Sequence, residues 1–179
     1  MIRSRRQKSQ RGGSLIEFTL VGIPLMFVLI SIFEASRGMW TYNLLAHAIK
    51  EGTRYAIVHG TTYYSLCTTN NGSGCTKTVG DVATAVNNAG PGLIPTQVIN
   101  FTVSQNGTAI ATCATLSACL TNATALNTFD PNNPNMNLIS VSAQVQFRSA
   151  IALFWPGAGP GMTFPAFNLP ASSQDTVVF

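Results

Sequence analysis

Hydrophobic positions are concentrated at one end of the chain. Residues 14 to 33 read SLIEFTLVGIPLMFVLISIF, an apolar run broken by a single charge, Glu17. About 20 residues suffice to cross ~30 Å of hydrocarbon as a helix. After this run the pattern becomes a stripe. Over 34 to 58, Trp40, Leu44, Leu45, Ala48, Ile49, Tyr55 and Ala56 recur at helical spacing, with Lys50, Glu51 and Arg54 on the other side. Glu51 can pair with Arg54 at i,i+3. The two segments predict one helix from Ser14 to Val58, about 45 residues or ~68 Å long. Pro24 is expected to kink it, Gly22, Gly38 and Gly52 to weaken it, and Gly60 to stop it.

The remainder is patterned for short elements. Residues 61 to 135 are rich in Thr, Asn, Ser and Gly. VGDVATAVNNA predicts a short helix over 79–89, stopped by Gly90-Pro91-Gly92. Residues 98–103 alternate as a strand; Asn106-Gly107 signals a hairpin returning through 109–111. Asp130 to Asn135 reads as a loop. Ile139, Val141, Ala143, Val145 and Phe147 alternate with polar residues over one strand. The apolar stretch Ile151 to Trp155 is followed by a Pro/Gly run and is expected to pack on the helix or on another subunit. Thr176 to Phe179 is a candidate edge strand. The fold class expected is α+β: a long N-terminal helix against a small antiparallel sheet of three or four strands.

Composition and charge sharpen the first segment. The 179 residues are 46% hydrophobic and only 9% charged, where about a quarter charged is usual for soluble domains. Something other than a small globular core must cover the apolar run. The net charge of +4 comes from Arg3, Arg5, Arg6, Lys8 and Arg11, so it marks a basic tag and not a nucleic-acid surface. The flank after the run, Glu34 and Arg37, roughly cancels. The positive-inside rule then puts the N-terminus in the cytoplasm and the rest outside. A cleaved secretory signal fits poorly, because the run is long and Phe33-Glu34-Ala35-Ser36 is a weak cleavage site. A twin-arginine signal at Arg5-Arg6 lacks the apolar residues that usually follow.

Cys67, Cys75, Cys113 and Cys119 all follow the apolar run, on the side expected to be oxidising. Local pairing, 67–75 and 113–119, is the expectation, although four cysteines allow three connectivities. A structural zinc site is the rival; the C-x-x-C spacing is missing.

The segment Arg11-Gly12-Gly13-Ser14-Leu15-Ile16-Glu17-Phe18 resembles a type IV prepilin processing site. The resemblance implies that a membrane peptidase cuts between Gly12 and Gly13. Glu17 and Phe18 then become the fifth and sixth mature residues, and a basic leader, 1–12, stays cytoplasmic. A carboxylate within a membrane helix costs ~2.5–3.5 kcal/mol when central, so Glu17 wants a partner. The resemblance implies a neighbouring subunit's new N-terminal amine. With Phe33-Glu34-Ala35-Ser36-Arg37 and Ala48-Ile49-Lys50-Glu51-Gly52-Thr53-Arg54-Tyr55-Ala56 added, residues 11 to 58 look like the TadE family, pilin-like proteins of the tight-adherence (Tad, or Flp) pilus system. Lysine and threonine stand at the variable places of the second signature. The resemblance implies a pilin-like body plan: leader 1–12, transmembrane helix 13–33, amphipathic continuation 34–60, and a β-rich head 61–179. The motif pairs are Glu34 with Arg37 and Glu51 with Arg54, whose plain alternative is ordinary surface pairing.

Catalytic patterns are missing from the sequence. His47 and His59 sit in no metal motif, and no G-x-S-x-G, P-loop or dinucleotide fingerprint occurs. Gly157 to Gly161 is glycine-rich but opens no helix. Asn71, Asn100, Asn106 and Asn122 begin N-x-[ST] triplets, as an Asn/Thr-rich chain would by composition. The expectation is therefore no enzyme, cofactor, metal, nucleic acid or small-molecule substrate. The expected role is a minor pilin or pseudopilin aiding pilus assembly and adhesion, located in the inner membrane or in a surface pilus. Its expected partners are a prepilin peptidase, other pilin or pseudopilin subunits, the inner-membrane assembly platform and the bilayer. An uncleaved, membrane-anchored adhesin-like binding module is the alternative. A small extracytoplasmic hydrolase is a third reading, disfavoured by the missing residues.

Overall fold

The computed structural model describes residues 13–58, 77–126, 138–149 and 166–176. Helix α1 is Gly13–Val58, 46 residues, and contains Pro24. Helix α2 is Val79–Ala89. Strands β1 (Val98–Gln105) and β2 (Thr108–Thr115) form a hairpin, and a single turn, α3 (Leu116–Cys119), follows. Strands β3 (Leu138–Phe147) and β4 (Phe167–Thr176) complete the head. The leader, His59, Gly60, Cys67, Cys75, Asn71, the 130–135 loop, Ile151 to Trp155, the glycine run at 157–161 and residues 177–179 lie outside the described residues.

The four strands make one antiparallel sheet in the order β2-β1-β3-β4. The hairpin turns where the NG signal put it: Asn106 at φ 54° and Gly107 at φ 80° supply two consecutive positive φ angles, the requirement of a type I′ turn. In β3, Ile139, Val141, Ala143 and Val145 are buried, while Ser140, Ser142 and Gln144 take the opposite face. In β1 the expected alternation breaks. Asn100 adopts φ 52° and the β1–β3 register shifts between Ile99 and Thr102. This irregularity changes parity, so Val98 and Phe101, three residues apart, are both fully buried. The C-terminal edge strand spans 167–176 and meets the expected 176–179 at Thr176; residues 177–179 lie outside the described residues. Its 167–176 segment is mostly polar, and Pro170, which cannot donate to a ladder, is tolerated at an edge.

One face of the sheet is covered and the other is polar. The second half of α1 crosses β3 and β4 and also packs on α2. Leu45, Ala48, Ile49 and Ala56 of α1 meet Val79, Val82, Ala83 and Val86 of α2 and Phe101, Val103, Val141 and Val145 of the sheet. Sequence periodicity misassigned part of this stripe: Trp40 is 73% exposed, whereas Gly52 and Thr53 are buried. Thr53 tolerates burial because its Oγ1 donates to the Ile49 carbonyl at 2.9 Å. Helix α2 begins with a reciprocal capping box. The Asp81 amide donates to Thr78 Oγ1, and the Thr78 amide donates to Asp81 Oδ2.

Candidate functional site

The most unusual surface of the molecule is the first half of α1. Leu15, Ile16, Phe18, Leu20, Val21, Ile23, Leu25, Met26, Phe27, Val28, Leu29, Ile32 and Phe33 are all exposed. Soluble monomers do not present apolar patches of this extent without a partner phase. The helix is long and apolar enough to cross a membrane, and its most apolar window is wholly unburied. Two of its three hydroxyls, those deepest in the run, are satisfied within the helix. Thr19 Oγ1 donates to the Ile16 carbonyl at 2.9 Å and Ser31 Oγ to the Phe27 carbonyl at 2.8 Å. That meets the condition that polar groups in hydrocarbon be paired internally.

Glu17 and Phe18, the expected assembly residues, sit in the second turn and are exposed. Among the described residues no ion pair reaches Glu17. Gly13 opens the helix with open space around its Cα. Gly12 lies outside the described residues.

The two motif pairs differ in kind. Glu51 Oε1 and Arg54 Nη1 are 2.8 Å apart on the exposed face. That pair matches the plain surface reading. Glu34 does not. It is only 7% exposed, and its Oε2 lies 3.5 Å from Arg37 Nη2. The same oxygen accepts no hydrogen bond, so the attraction is ionic without a well-aligned N–H···O contact. Arg37 is held from the head side: it donates to the Arg148 carbonyl, and its guanidinium carbon sits 4.8 Å from the Phe147 ring centroid. That ring lies against Gly38, 3.7 Å from where a Cβ would stand. The expected helix weakener is thus the place where the head's last core strand docks on α1.

Gly52 is similar, and sequence reading missed its role. A Cβ there would lie 2.3 Å from Val86 Cγ2 of α2. A glycine in the middle of a charged Lys-Glu-Gly-Thr-Arg stretch of helix was the available signal. Of the cysteine pairs, Cys113–Cys119 is present, with Cα atoms 5.6 Å apart; the 67–75 pair lies outside the described residues. This bond ties α3 to β2 beside the loop that holds α2, where the amides of Val79 and Gly80 donate to the carbonyls of Thr124 and Asn122. His47 is exposed. Among the described residues no cluster of His, Cys, Asp or Glu is arranged to hold a metal.

The family model described as TadE-like protein matches residues 12–54. The resemblance read from the residues is borne out over that segment, which ends within α1. No curated protein and no solved structure matches the chain.

Proposed function

We propose that this chain, TadE-like over residues 12–54, is a structural, non-enzymatic minor pilin or pseudopilin of a Tad-type pilus or secretion system. One observation carries the reading. The TadE-like segment falls on a single helix whose first half is bare and apolar and whose second half is the core of the head. A helix built this way needs two environments, a lipid or helix-packed phase for one half and a folded domain for the other.

The proposed mechanism follows from that division. Residues 14–33 anchor the chain with the N-terminus cytoplasmic and the head outside. A prepilin peptidase hydrolyses the Gly12–Gly13 bond, leaving a carboxylate on Gly12 and a free amine on Gly13. Glu17, exposed and without an ion pair among the described residues, then pairs with the new amine of a neighbouring subunit. Neutralising that carboxylate removes the main cost of passing the helix between bilayer and assembly. The exposed apolar face packs against like helices in a filament or initiation complex, supporting assembly and adhesion.

Intact mass of the membrane-extracted protein, with and without its prepilin peptidase, tests the reading. The expected result is loss of residues 1–12 only when the peptidase is present, abolished by Gly12→Leu. A full-length mass in both cases refutes the maturation step and favours an uncleaved, anchored binding module. A cut after residue 33 would make it an ordinary secreted protein.

A further inference from the structure

The lower end of the head carries charged and aromatic groups beside the end of the apolar run. Phe33, Arg37 and Trp40 recur at i, i+4 and i+7 and share one side of α1. Phe33 is 70% exposed and Trp40 73%. Arg37 brings this stripe to the end of the sheet, where Phe147 pairs in register with Phe167, itself exposed. Arg148 follows directly and is exposed. Arg37, Thr41, Gln97, Gln146 and Arg148 line a polar recess of about 260 Å³. Glu34 offsets one of the two guanidinium charges. Among the described residues no acidic side chain pairs with Arg148.

The level of this cluster along the helix decides what it meets. If residues 14–33 fill the hydrocarbon, Arg37 stands four residues beyond Phe33, ~6 Å further out at 1.5 Å per residue. The polar layer of a bilayer is roughly 5–7 Å deep on each side. Arg37, Phe147 and, by its register, Phe167 therefore fall among the headgroups. Arginine forks match phosphate geometry, and exposed aromatic rings favour the same layer.

We infer that this end of the head is a membrane-resting surface, with Arg37 and Arg148 binding the phosphates of anionic phospholipids, Phe33 seated at the acyl boundary and Phe167 among the headgroups. The inference rests on the membrane-anchored reading of α1. It sets the head directly against the leaflet.

The test uses the full chain reconstituted in vesicles of phosphatidylcholine with or without phosphatidylglycerol. Flotation with plain phosphatidylcholine vesicles reports anchoring alone. Association with spin-labelled phosphatidylglycerol against spin-labelled phosphatidylcholine reports the headgroup site. Quenching of a Phe33→Trp reporter by lipids brominated near the headgroup, in a Trp40→Phe, Trp155→Phe background, reports depth. The expected result is preference for phosphatidylglycerol, falling about fivefold in Arg148→Gln, with the Phe33→Trp reporter quenched with or without that replacement. Arg148 lies past the end of β3, so its replacement leaves the core intact; Arg37→Gln should lower the preference at least as far. Equal association with both lipids in an inserted wild-type protein, or a preference unchanged by Arg148→Gln, overturns the headgroup site and leaves the anchor standing. Failure to float overturns both. A preference that vanishes as protein is added to a fixed amount of lipid means a second copy covers this face, and also overturns it.

Discussion

Gly52→Ala adds one methyl group at the tightest approach between α1 and α2. The new Cβ would stand 2.3 Å from Val86 Cγ2 and 3.7 Å from both Val82 Cγ1 and the Val82 carbonyl oxygen. Carbon atoms in contact prefer about 3.5–4.0 Å, so Val86 or the whole of α2 must retreat by more than an ångström. Valine has few rotamers to retreat into, and both Val82 and Val86 are fully buried. Overpacking of this kind costs about 1–3 kcal/mol. Alanine returns about 0.8–1 kcal/mol of helix propensity. The net expected loss is up to about 2 kcal/mol, or at most a few degrees in Tm. Thermal unfolding of the full chain in detergent micelles, followed by near-UV circular dichroism, measures it. Val86→Ala alone should cost about 2 kcal/mol through its cavity. In the double variant the methyl group added at position 52 fills part of that cavity, so the two losses should not add; a coupling of about 1–2 kcal/mol is expected. A Gly52→Ala protein as stable as the parent, with strictly additive behaviour in the double variant, would refute the close-approach argument.

Four further outcomes are expected from the same unfolding assay. Arg37→Ala should destabilise by roughly 1–2 kcal/mol, because Glu34 keeps its charge in a buried setting, discounted for an arginine whose side chain is 42% exposed. Glu34→Gln, which removes that charge in a similar shape, should cost less; the reverse order would count against a buried ionic contact. Arg54→Ala should change stability by no more than about 0.5 kcal/mol, since its pair with Glu51 is exposed. Cys113→Ala with Cys119→Ala should cost about 2 kcal/mol by the loop-entropy relation for so short a loop, seen as a lower Tm and a smaller drop on adding reductant than in the parent.

The long helix, α2, the hairpin and β3 were legible because each carries a local signal: an unbroken apolar run, a capping pair, an NG turn, a clean alternation. The features that escaped depend on what lies opposite in space. Gly38 and Gly52 read as weak points by propensity, yet each is where a side chain from elsewhere, Phe147 or Val86, comes close. Trp40 read as core by spacing, but no part of the head covers it among the described residues, and it stays bare. The parity change at Asn100 comes from one positive φ angle that residue type alone does not dictate. Strand β4 has little hydrophobic pattern because it is an edge; its ten-residue ladder with β3 holds it in place. Of the site, the Glu34–Arg37 and Glu51–Arg54 pairs were readable from their i,i+3 spacing. The burial of Glu34 was not, since it depends on where the head docks.

Because α1 runs from Gly13 to Val58 without interruption, the head has an azimuth as well as a height. Each residue inserted at the end of the apolar run, between Phe33 and Glu34, would turn the head by about 100° and raise it by about 1.5 Å. Whatever Glu17 and its neighbouring apolar face grip is thereby geared to the direction in which the sheet points. A one-residue insertion would leave both halves well folded but out of phase, whereas a seven-residue insertion would restore the heading to within about 20°.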